Sequence, residues 1–189
     1  SVSGPVSLYV VMNVSDGADN DSIVQPILLA GRSMVSSLER DDEYVVTEVR
    51  GSRETQPASL IDGIERGINT LRSSQNLLKG IVVVSNWDGL MYPQDSTERL
   101  PEVVRSSDVP IYILSSGPTN VLLDDVASAT GGDHFVIATP DDVPTQVTRV
   151  LVAVRNSYML GFRGTRPADG AFRQIDVQVL PPRGILNLS

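Results

Sequence analysis

A three-layer α/β fold, doubly wound around a mostly parallel sheet, is what this sequence predicts, and three observations carry the prediction. Apolar runs too short for helices recur along the chain, helical stripes separate them, and strict apolar/polar alternation appears only near the C-terminus. Strands apolar on both faces that alternate with amphipathic helices imply right-handed crossovers and a sheet covered on both sides.

The runs are Val6 to Met12, Tyr44 to Val49, Ile81 to Val84, Val109 to Leu114 and Phe135 to Ala138, and their Val and Ile content favours strand. In the first intervening stretch Ile23, Ile27, Met34, Val35 and Leu38 share a helical face, with Pro26 expected in a first turn because proline lacks an N–H. Leu60, Ile64, Ile68 and Leu71 make a second stripe. Leu123, Val126 and Ala127 form a short third one, closed by Gly131 and Gly132. Val143, Val147, Val150, Leu151 and Val154 form the fourth, with Asp141 and Asp142 where an N-cap belongs. Beyond residue 156, Ser157 to Phe162 and Arg173 to Leu180 read as a half-exposed antiparallel pair joined by a loop around Pro167 to Gly170. The expected organisation is therefore an α/β domain over 1–156 and a β-hairpin extension of it over 157–189, added at the sheet edge.

The 189 residues suffice to bury a core without disulfides or a structural metal, and there is no cysteine. That removes thiol catalysis and Cys-ligated zinc, but leaves the redox compartment open. A net charge of −8 disfavours nucleic acid and anionic membrane surfaces. No apolar run approaches the roughly 20 residues of a membrane span, so no membrane insertion is expected. The chain begins at Ser1, which reads as the start of a processed or excised piece.

In an open parallel sheet the ligand crevice lies at the carboxyl ends of the strands. The segments there are Asn13-Val14-Ser15-Asp16-Gly17 and Ser85-Asn86-Trp87-Asp88-Gly89, with Gln56-Pro57-Ala58-Ser59 before the second long helix. Together they resemble the von Willebrand factor A family, whose first loop reads Asp-x-Ser-x-Ser, with a Thr before the second helix and an Asp after a later strand. In that family these positions hold a divalent cation. Leu123 to Gly132 matches the Leu-x-x-x-Ala-x-x-Thr-Gly-Gly signature of the bacterial VWFA-related branch, and Tyr158-Met159-Leu160-Gly161-Phe162, Asp169-Gly170 and Arg173 to Val179 resemble its C-terminal hairpin. The resemblance implies a protein-binding role in adhesion or assembly and an extracellular or periplasmic location.

The metal motif is degenerate. Carried over by position, the first Asp is Asn13, the first Ser is Ser15, the second Ser is Gly17, the Thr is Ala58 or Ser59, and the last Asp is Asn86. Both carboxylates have become amides. Magnesium gives up water reluctantly and is normally held through one or two carboxylates, so no metal cofactor is expected here. Asp16, Asp19 and Asp21, with Asp88, offer an acidic route to magnesium or calcium, but Asp16, Asp19 and Asp21 lack the spacing of a calcium loop and also suit a helix start. Trp87, the one tryptophan, is read with Asp16 and Asp88 as a partner-binding residue, against the alternative that it is buried packing.

Enzyme readings fare worse. Asn13-Val14-Ser15-Asp16-Gly17 imitates the Gly-x-Ser-x-Gly elbow of a serine hydrolase, which needs a histidine. The single histidine, His134, is expected at the amino end of its strand, partly exposed and at the opposite rim from Ser15, roughly 16 Å away at about 3.3 Å per residue. No phosphate-binding glycine loop is present, and Asn13 and Asn86 spoil the clustered aspartates of a response-regulator receiver. The sequence thus predicts a non-catalytic protein-binding module, with a structural domain docking through its sheet edge as the alternative and a hydrolase using Ser15 as a minor third.

Overall fold

The computed structural model describes residues 4–15, 21–51, 56–86, 102–104, 107–116 and 121–157. Among these residues there are five strands: β1 (Val6–Ser15), β2 (Glu43–Gly51), β3 (Leu78–Ser85), β4 (Ile111–Ser116) and β5 (His134–Ile137). They pair in the order β2-β1-β3-β4-β5, and each pairing is parallel. Parallel neighbours need long crossovers; among the described residues α1 (Asp21–Ser36), α2 (Gln56–Arg72) and α3 (Val121–Thr130) lie in the connections from β1 to β2, β2 to β3 and β4 to β5, and α4 (Val143–Arg155) follows β5.

Strand alternation splits the core in two. Tyr9, Val11, Ile81, Val83, Ile111 and Ile113 face one side and pack with Leu60, Ile64 and Ile68 of α2 and Leu123 and Val126 of α3. Leu8, Val10, Val82, Val84, Tyr112 and Leu114 face the other, against Ile27 and Met34 of α1 and Val143, Val147, Val150 and Val154 of α4. All six residues of β4 are buried, which explains its unbroken apolar run. Each fully buried Ile, Leu or Val contributes about 1.5–3 kcal/mol.

Two expectations about elements need correction. Pro26 lies not in the first turn but inside α1, which starts at Asp21. It is buried there, so packing of its ring offsets the backbone hydrogen bond that it cannot make. β2 is not covered on both faces: among the described residues it is an edge strand, with Tyr44, Val45 and Val46 at 50%, 43% and 42% exposure. The hairpin expected after Ser157 lies outside the described residues.

The amino ends of β1 and β2 are fastened by polar contacts. Asp42 accepts hydrogen bonds from the Val6 and Glu39 N–H groups and from Arg155 at 2.5 Å, joining the end of α4 to the start of β1. Thr130-Gly131-Gly132 does the same job for α3. The Gly132 N–H donates to the Ala127 carbonyl and the Gly131 N–H to the Ser128 carbonyl, with Gly131 at φ +78°, a Schellman C-cap. Thr130 Oγ1 then accepts from the Ile111 N–H at 3.0 Å, setting α3 against the start of β4.

Candidate functional site at the strand carboxyl ends

The strand order turns back between β1 and β3, so the switch-point crevice of such a sheet lies at their carboxyl ends. Of the six buried polar residues among those described, five lie at the carboxyl ends of the central strands: Asn13, Ser85, Asn86, Ser115 and Ser116. An apolar sheet therefore gives way to a polar floor where the crevice is expected.

Register and alternation place three of them in one row. Asn13 pairs with Ser85, and Ser85 with Ser115. Each follows by two residues an apolar residue facing α2 and α3, namely Val11, Val83 and Ile113, so all three point to that side. Asn13 Nδ2 donates to Ser85 Oγ at 3.0 Å, across the switch point itself. Asn13 is 0% exposed, and among the described residues its Oδ1 has no hydrogen-bond partner. An orphaned acceptor of this kind costs about 1–3 kcal/mol, and a ligand N–H or a water proton would relieve it.

The row continues toward β5 through a second set of contacts. Ser115 Oγ lies 2.7 Å from His134 Nε2, and His134 Nδ1 bonds to the Asp124 carboxylate. The His134 side chain is only 6% exposed, against 40% for Asp124. His134 begins β5, as expected, and is half-buried as a residue, but its side chain is turned inward and it lies level with Ile113 rather than at the far rim. β5 is four residues long and starts level with Ile113 of β4, so the amino end of β5 lies close to the carboxyl end of β4.

Other predicted site residues divide by position. Asn13 is not in a loop but within β1, which runs on to Ser15; Ser15 pairs with Gly51. Asn86 directly follows β3 and is 8% exposed. Gln56 to Ser59 belong to the first turn of α2, so Ala58 and Ser59 are helical residues rather than loop residues. Asp16, Gly17, Trp87 and Asp88 lie outside the described residues. Sequence reasoning missed Ser85, Ser115 and Asp124. A signal was available, because Ser85 and Ser115 each interrupt an apolar run at its last positions, where a structural strand residue has no need of a hydroxyl.

The described donors next to Asn13 are neutral, and Asn13 turns an N–H edge rather than an oxygen to Ser85. Among the described residues no cluster of three or more His, Asp or Glu side chains could hold a metal ion. Such a set does not fit a divalent cation, whose dehydration needs anionic oxygens in return.

Among the described residues no helix is long and apolar enough to cross a membrane. No protein-family model matches the chain, and no curated protein matches it. Solved structures do. A von Willebrand factor type A protein from Catenulispora acidiphila aligns with 80% of this chain at 10% identity and a TM-score of 0.57. The ArnB paralog VWA2 from Sulfolobus acidocaldarius aligns with 78% of it at 15% identity and a TM-score of 0.54. The alignments span 42% and 45% of those two proteins, less than half of each. Identities this low speak to architecture alone, and the chain has the von Willebrand factor A fold.

Proposed function

We propose that the chain is a protein-binding module of von Willebrand factor A type, whose crevice holds its partner without a divalent cation. An adhesive or assembly role in an extracellular or periplasmic setting accompanies this reading. The observation that carries it is Asn13: an amide stands at the motif's first carboxylate position, fully buried, bonded to Ser85 and, among the described residues, with no donor to its oxygen. A neutral floor does not attract magnesium, but it can accept hydrogen bonds from a partner's N–H groups. Trp87, Asp16 and Asp88 follow these strand ends in sequence and supply an aromatic anchor and anionic contacts for the same partner.

A photo-crosslinker at position 87 tests this. Adducts with a protein that persist in EDTA are expected. Adducts that vanish with EDTA, or none at this position, would count against it.

The second reading, a structural domain that docks through its sheet edge, is favoured by the exposure of Tyr44, Val45 and Val46 on β2. An open edge strand recruits a further strand through its backbone. Crosslinks from position 45 with none from position 87 would select it.

A further inference from the structure

We propose that Ser115 is the nucleophile of an acyl-transfer site, with His134 as its base and Asp124 as the carboxylate that positions the imidazole. This goes beyond the binding reading and does not depend on it.

The three side chains come from β4, β5 and α3 and meet in the polarity that nucleophile activation requires. Nδ1 faces the Asp124 carboxylate, which can only accept while ionised, so the neutral imidazole carries its proton on Nδ1. Nε2 is then a bare acceptor, and the Ser115 hydroxyl at 2.7 Å donates to it. Such a set is identified by geometry and roles, whatever the chain positions. Its placement also fits, because Ser115 is in the last two residues of β4, at the end of the sheet where ligands enter. Ser85, its register partner on β3, brings a second hydroxyl to the same face of the sheet. The Schellman cap at Gly131 and Gly132 fixes α3 against β4, and with it Asp124 against His134.

In the reaction, Oγ attacks an ester carbonyl carbon while its proton passes to Nε2. Collapse of the tetrahedral adduct breaks the ester C–O bond, and Nε2 returns the proton to the departing alcohol. Water then repeats the sequence on the acyl-serine, releasing a carboxylic acid and restoring neutral His134. Ser115 is 2% exposed, which restricts the substrate class to small acyl esters.

The test is exposure of the full chain to a small alkyl fluorophosphonate, with peptide mapping, and to p-nitrophenyl acetate. A single adduct on Ser115 is expected, absent from urea-unfolded protein. His134→Gln should slow labelling at least 100-fold, and Asp124→Asn at least 10-fold, in variants whose circular dichroism matches the wild type. Absence of an adduct on Ser115 of the wild-type chain overturns the proposal, whatever the variants do. So does an adduct formed equally fast in Asp124→Asn, because the three side chains then only brace β4 against β5.

Discussion

Asn13 and Ser85 are joined side chain to side chain at 3.0 Å across the point where the strand order reverses, and among the described residues the buried Asn13 oxygen beside that bond has no partner. The floor of the crevice is thus held by a neutral hydrogen bond where the family resemblance implies a carboxylate and a cation. An amide and a hydroxyl bond each other at little desolvation cost, whereas a carboxylate in the same place needs a counter-charge.

Asn13→Asp should therefore weaken the fold rather than repair a site. An unpaired charge at a 0% exposed position is expected to cost about 3–5 kcal/mol at neutral pH. The carboxyl would titrate above its unfolded value near 3.9, so the penalty should fade as pH drops toward about 4. Urea unfolding at pH 7 and pH 4 measures both. A variant as stable as the wild type at pH 7 would show that the position is solvated.

Gly132→Ala should be far more damaging than Gly131→Ala, although the residues adjoin. A Cβ on Gly132 would sit 1.9 Å from the Ile111 carbonyl oxygen, a backbone atom of the central sheet that cannot swing aside. A loss of about 3 kcal/mol or more is expected. Gly131 has open space around it and needs only its φ of +78°, so alanine there should cost about 1–2 kcal/mol. Thermal melts of the two variants give the comparison.

Asp42 should contribute to acid sensitivity. Burial works to raise its carboxyl, but the Val6 and Glu39 N–H groups and the Arg155 guanidinium outweigh burial and hold it below the ordinary value. A carboxyl lower in the folded state stabilises above its unfolded value near 3.9 and loses that contribution as pH falls through the folded value. Asp42→Asn should cost about 2 kcal/mol at pH 7. The gap to the wild type should close below about pH 4, as read by denaturant midpoints across pH.

Most of the fold was legible because its signals are local. The runs at Val6, Ile81 and Val109 are apolar on both faces since their strands are central, and the stripe from Val143 to Val154 is buried at each position it marked. Tyr44 to Val46 reads the same way yet lies on an edge of the described sheet, because composition reports strand propensity and not strand order. The site was half legible. Asn13 and Asn86 were found through a motif, but the meeting of Ser115, Asp124 and His134 depends on how β5 is staggered against β4, and register between non-adjacent segments leaves no trace in either segment alone.

The claim most exposed to test is that this crevice works without a metal ion. Calorimetric titration of the chelator-treated chain with magnesium, manganese and calcium addresses it directly. The neutral floor around Asn13 predicts no saturable heat in the micromolar range. Micromolar binding of any of the three that disappears in Ser15→Ala would contradict it.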